Sequence, residues 1–377
     1  MRYSKAYWKN VIDSKPARIV TVFNTGTWQG NPISFENDMA LRKAIRAAAE
    51  SKDSCARWQR LVDAGITDAL CKCVIEHSSD LGADCSGDNN TSSYFAPFIE
   101  LLVLGLPNVK RSPVPTRTIF VESLVENWSE IVLRLWIRPH HMFEPHENYA
   151  SERIFVSELV MGILEIEPTC ALVDAPNDLT VPLIMRCLMH SVGIIEFCKC
   201  VRALARLADP PEAIFHNRRP KNFIARMRQG IPDQSFASLF THYTGNFPFL
   251  NTTYINHCMH LIWALINCAL WSSPSDRDFL HDLFGHTTMF SILFRLLSSP
   301  EHVLKQANFE PGERLILPIL MLMKRCTESA IDVESNEGEN LMRTWLCEGV
   351  FDVLEAVWVQ HGGIVHGVYS KRSLPPF

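Results

Sequence analysis

The sequence predicts an all-α protein built of stacked helical hairpins, with little or no β structure. Three observations carry that expectation. Apolar residues recur on a 3.6-residue period in one stretch after another. One helix–glycine–helix pattern returns along the 377 residues. No alternation of apolar and polar residues is long enough to demand a sheet.

The clearest copy of the pattern is Trp58–His77, WQRLVDAGITDALCKCVIEH. Trp58, Leu61 and Val62 stand at helical spacing and stop at Gly65. Ile66, Ala69, Leu70, Cys73 and Val74 then occupy i, i+3, i+4, i+7 and i+8, which is one apolar stripe. A glycine at a helix C-terminus supplies a positive φ. Thr67 or Asp68 is placed to cap the helix that follows. The same five offsets after Gly349 hold Val350, Val353, Leu354, Val357 and Trp358. After Gly193 they hold Ile194, Phe197, Cys198 and Val201, with Arg202 at the fifth. After Gly285 come Met289, Phe290, Leu293 and Phe294, with His286 at the first. An acid recurs at the third offset as Asp68, Glu196 and Asp352. Gly65, Gly193, Gly285 and Gly349 are therefore read as repeat-junction glycines. The first two intervals between them suit multiples of roughly 40–47 residues and the third does not, so the array is irregular. Four hairpins in an ordinary helical domain is the alternative.

LVDAGITDALCKCVIEH resembles the junction between the second and third helices of an armadillo repeat. Leu61, Val62, Ala64, Gly65, Ile66 and Leu70 carry the likeness, and Trp345, Leu346, Gly349, Val350 and Leu354 carry a weaker one. The resemblance covers four short windows. It implies an irregular armadillo-like right-handed superhelix and a groove that binds protein or extended peptide. Armadillo grooves often carry an asparagine ladder on the third helices, but the helix after Gly65 has Lys72 and Glu76 instead. Helices of this style also resemble the regions that precede a terminal MYND zinc finger in fungal proteins. No finger pattern is present in this sequence.

Taken in order, residues 1–36 read as an irregular N-terminal cap, with a β-leaning Ala17–Phe23 and the loop Asn24–Pro32. Residues 37–363 read as the helical domain and 364–377 as a tail. Phe35–Lys52 is a helix, and the opening hairpin follows it. Ser78–Ser93 is a polar loop. Pro97–Leu106 is helical, and Pro107–Arg117 cannot be helical throughout. Thr118–Ile137 is a long helix, followed by the loop Arg138–Tyr149. Ser151–Leu164 is a helix opened by Ser151. Leu183–Leu207 holds the Gly193 hairpin. Pro210–Pro232 is a basic connection with helix at Asn222–Arg228. Helices follow at Phe236–Tyr243, Thr252–Ser272, Ser275–Leu283, Thr287–Leu297 and Glu313–Ser329, the last bent at Pro318. Asp332–Glu339 is an acidic loop, and Leu341–His361 is the last hairpin.

Apolar residues make up 47% and charged residues 20%, the balance of a globular protein. A net charge of −5 exerts no general pull on nucleic acid or anionic membrane. No apolar run reaches the ~20 residues of a membrane span. The 12 cysteines fall largely on apolar helix faces, and the N-terminus lacks an apolar signal core, so an intracellular, cytoplasmic or nuclear protein is expected.

Catalytic and nucleotide-binding motifs are absent. The pairs Cys71/Cys73 and Cys198/Cys200 are C-x-C, which on a helix point apart and chelate poorly. His140, His141, Glu144, His146 and Glu147 cluster on a loop, and His257 and His260 sit amid apolar neighbours at the core or its rim. No metal and no cofactor is expected. One charged feature remains. Lys199, Arg202, Arg206, Arg218, Arg219, Lys221, Arg226 and Arg228 face only Asp209 and Glu212 in the same stretch. Arg218, Arg219, Lys221, Arg226 and Arg228 are the candidate docking patch for an acidic partner, since guanidiniums fit carboxylates. A solvated loop is the plainer alternative, and nucleic acid is not expected. The leading functional expectation is a non-catalytic protein–protein interaction scaffold. Alternatives are a regulatory protein related to the MYND-finger proteins but lacking the finger, and an all-α enzyme with a site between helices.

Overall fold

The computed structural model of the chain describes residues 3–52, 55–77, 96–137, 143, 150–167, 178–209, 222–271, 277–298, 313–332 and 337–359. The fold is all-α. Two compact units form, Met1–Arg218 and Arg219–Phe377. Their boundary falls in the basic connection, inside the stretch read as one helical domain.

The first unit opens with α1 (Lys5–Ser14) and α2 (Pro16–Thr25). The β lean expected for Ala17–Phe23 is thus corrected: the segment is helical. Ser4 accepts from the Tyr7 N–H to start α1, and Pro16 at the first position of α2 gives up no needed donor. The periodicity of Ile19 and Val22, both buried, outweighs β propensity. The described strands are β1 (Thr27–Trp28) and β2 (Asn31–Pro32), a short antiparallel ribbon.

Next come α3 (Phe35–Ala49), α4 (Ala56–Asp63), α5 (Ile66–His77), α6 (Ala96–Arg111) and α7 (Val114–Ile137). The break expected over Pro107–Arg117 shrinks to Ser112–Pro113. Pro107 is carried inside α6, and Pro115 falls in the first turn of α7, where no N–H is needed. The unit closes with α8 (Ala150–Ile166), α9 (Thr180–Met189) and α10 (Ile194–Ala208). Because α8 begins at Ala150, Ser151 lies inside its first turn and does not cap it.

All of these helices but α4 pack in two rows, and α4 touches members of both. One row runs α1, α3, α6, α8, α10, each against the next, and the other runs α2, α5, α7, α9. Close approach is built in. A Cβ on Gly105 of α6 would lie 2.2 Å from the Trp58 indole of α4, and one on Gly162 of α8 would lie 2.2 Å from Leu106. Side chains also bridge the row. Asn108 of α6 donates to the Ala48 and Ala49 carbonyls at the end of α3, at 3.3 and 2.6 Å. Arg111 donates to the Ser51 and Lys52 carbonyls. The C-terminus of α3 is therefore capped by the neighbouring helix.

The second unit contains α11 (Phe223–Gly230), α12 (Phe236–Asn246), α13 (Thr252–Trp271), α14 (Asp278–Phe284), α15 (Thr287–Ser298), α16 (Glu313–Asp332), α17 (Glu337–Cys347) and α18 (350–359). Here α13 packs along α16, α12 against α14 and α15, and α17 against α14, α15 and α16. Trp345 of α17 meets the Phe290 and Phe294 rings of α15 edge-on at 5.8 and 6.1 Å.

The four junction glycines are of two kinds. Gly65 and Gly349 have φ of +91° and +71°, which only glycine adopts readily. Gly193 is extended, with φ −107°, and Gly285 is right-handed, with φ −82°. All five stripe residues after Gly65 are buried, whereas Trp358 at the last offset after Gly349 is half-exposed. Neither Thr67 nor Asp68 caps α5. The Thr67 hydroxyl is buried without a partner, and Asp68 binds Lys72 at 2.8 Å and Asn127 of α7 at 3.2 Å.

Candidate functional site

Of the expected docking patch, Arg218, Arg219 and Lys221 lie outside the described residues. Arg226 and Arg228 are on α11. Arg226 is buried. Arg228 pairs with Asp278 at 3.4 Å, and its guanidinium lies over the Phe236 ring, 5.2 Å from the centroid. Two of the upstream members are also engaged. Lys199 pairs with Glu158 at 2.5 Å, and Arg202 pairs with Glu165 at 3.1 Å, an acid that Lys110 of α6 shares. Glu158 and Glu165 of α8 thus tie α8 to α10, and Glu165 ties α6 in as well. Arg46 of α3 reaches Glu100 of α6 at 2.8 Å. Of the positive charges that the sequence groups in one stretch, Lys199, Arg202 and Arg228 are each matched by an acid of another helix.

The charged group that the sequence did not single out is Arg153. Its side chain and that of Glu196 are 0% and 1% exposed, and they form an ion pair between α8 and α10. Glu196 also accepts from the Val192 N–H at 3.1 Å, which fixes the turn before α10. One turn along α8, the Ser157 hydroxyl donates to the Arg153 carbonyl and lies 3.3 Å from the Cys200 thiol. A buried pair of this kind is costly to desolvate, so its worth lies in holding one arrangement of α8 on α10. The third-offset acid is thereby an inter-helix clamp in two copies, Asp68 to Asn127 and Glu196 to Arg153.

Most of the described cysteines are packing residues. Cys71, Cys73, Cys198 and Cys200 are buried, so both members of each C-x-C pair face protein. Burial pushes the thiol of Cys73 up to about 11 and those of Cys198, Cys200 and Cys326 to about 12. Thiols held this way are poor nucleophiles and poor ligands at neutral pH. Among the described residues no cluster of three or more His, Cys, Asp or Glu side chains is placed to hold a metal. The His140–Glu147 group lies outside them. His257 and His260 sit at the rim of α13 beside Tyr254 and Trp263.

A crevice of about 400 Å³ opens in the first unit, lined by Val22, Phe23, Leu41, Phe98, Asp38 and Arg42 among others. Its charges are spent on each other. Arg42 bonds Asp38 at 2.7 Å and covers the Phe98 ring at 4.8 Å. The walls supply apolar contact and no converging set of unspent polar groups. No described helix is long and apolar enough to cross a membrane. No family model, no curated protein and no solved structure matches the chain.

Proposed function

We propose that the protein is a non-catalytic interaction scaffold whose first unit is a degenerate armadillo-like array. The observation that carries this reading is the packing of that unit in two rows, hairpin on neighbouring hairpin. Such stacking exposes a continuous set of helix faces, the kind of surface that binds extended peptides and other proteins. Ion pairs and side-chain caps between neighbours stiffen those faces, and a stiff surface loses less entropy on binding. The crevice beside Phe98 lacks the convergent polar groups an enzyme site needs.

The test is affinity capture with the full chain as bait, scored by quantitative mass spectrometry. A variant with Arg218, Arg219 and Lys221 all changed to Glu runs beside it. The scaffold reading expects a reproducible set of proteins enriched over a heat-denatured bait. If the basic connection takes part, the triple variant loses some of them. An enrichment profile identical to that of the denatured bait would sink the scaffold reading. An unchanged set with the triple variant would remove the basic connection alone.

A further inference from the structure

The Arg186 guanidinium of α9 packs over two aromatic rings. Its guanidinium carbon is 5.1 Å from the centroid of the Trp136 ring on α7 and 4.5 Å from that of Phe143. Phe143 is buried and packs on the His190 ring at 5.4 Å. Among the described residues no carboxylate pairs with Arg186. Burial pulls its pKa below the ordinary arginine value. Among the described residues of α7, the arginine closest in sequence to Trp136 is Arg134, and it is held by Glu130 at 2.6 Å.

We propose that Arg186 is a docking point for a carboxylate on an acidic peptide segment of a partner protein. The proposal rests on the scaffold reading above and adds a site to it. A guanidinium that spends itself on aromatic rings and on no carboxylate keeps N–H donors to give, and two of them match a carboxylate in two parallel hydrogen bonds. Contact with two rings also restrains the side chain before binding, so less rotamer freedom is lost. A single guanidinium matches the one charge of a carboxylate. A phosphate dianion is better served by two or more cations, and Arg134 is already spent. Apolar surface stands beside the rings: Leu133 and Ile137, at i and i+4 on α7, are 39% and 61% exposed and flank Trp136. The footprint therefore fits an acidic residue with an apolar neighbour.

The experiment is a selection of random twelve-residue peptides on the full chain, followed by fluorescence-polarisation titration of the selected peptides. They are titrated against wild type, Arg186→Met and Arg186→Lys. Methionine keeps the apolar stem against the rings, and lysine keeps the charge without the fork. Thermal melting of each variant verifies that it is folded. The proposal expects selected peptides that contain Asp or Glu. It expects at least about a tenfold loss of affinity for Arg186→Met, with partial retention for Arg186→Lys. Changing the peptide's acid to its amide should cost wild type a similar factor and cost Arg186→Met nothing more. Peptides that bind wild type and Arg186→Met equally would overturn the Arg186 site and leave the scaffold reading standing. Failure to select any peptide would overturn both. Binding that requires a phosphorylated residue would overturn the carboxylate assignment.

Discussion

At the scale of single residues, the protein is decided by side chains that sit where a simple pattern would put something else. Gly105 is in the middle of α6, where glycine is ordinarily unfavourable, and the reason is the Trp58 indole against it. Gly105→Ala should destabilise by about 1–3 kcal/mol through overpacking. Gly245→Ala is the control. A methyl group on that exposed glycine of α12 would meet nothing within 4 Å, so the change should be neutral or stabilise by up to about 1 kcal/mol. Urea unfolding of the two variants measures both. Equal effects would remove the close-approach explanation. His286 is another such residue. Its Nδ1 accepts from the Met289 N–H at 3.2 Å and caps α15, and burial against Phe240 depresses its pKa below the ordinary 6.5. A depressed folded pKa means that this contribution is fully present above pH 6.5 and is lost as the pH falls below it. The urea midpoint of wild type should therefore drop between pH 7.5 and 5 by more than that of His286→Asn, which caps without titrating. Parallel curves would contradict the cap. The thiols give a third check. Among the described cysteines only Cys347 is exposed and only Cys55 is part-exposed. Among the described cysteines, brief alkylation of the native chain should label these two first, and rapid labelling of Cys71 or Cys200 would contradict their burial.

At the scale of helices and hairpins, much of the fold is legible in the sequence. Periodicity locates the helices, because each buries one stripe and so must repeat its apolar residues every 3.6 positions. The helical periodicity of Ile19 and Val22 is masked by their β-branched character, which hides α2. Proline is a weaker stop at Pro107 than its chemistry suggests, since one lost N–H does not end a helix that is gripped by α3 and α8. The glycine pattern is legible as a recurrence but not as geometry. Gly65 and Gly193 look alike in sequence, yet one turns with positive φ and the other is extended. The recurrent acid is visible too, but its partners Asn127 and Arg153 are not, because they come from other helices that only folding brings alongside. Arg153 does leave one trace: it stands on the apolar stripe of Val156, Val160 and Ile163, where a charge demands a partner. Removing only one member of that pair, by Glu196→Ala, should cost about 3–5 kcal/mol. Replacing both, by Arg153→Met with Glu196→Leu, should cost much less than the sum of the single changes. Additive losses in a double-mutant cycle would show that the two side chains do not act together.

At the scale of the whole molecule, the candidate site is the least legible part. Charges close together in sequence suggest one basic patch, but Lys199, Arg202 and Arg228 are each matched by an acid from another helix. Local sequence records how many charges a stretch carries and not which neighbours will face them. On the scaffold reading proposed above, what the chain presents to a partner is the outer faces of its packed rows, with the Arg186 site proposed among them. The most direct test of that claim is hydrogen–deuterium exchange of the full chain, alone and saturated with a captured partner protein. Slowed exchange on two or more successive helices of one row in the first unit is the expected result. Protection absent everywhere, or confined to the crevice beside Phe98, would contradict it.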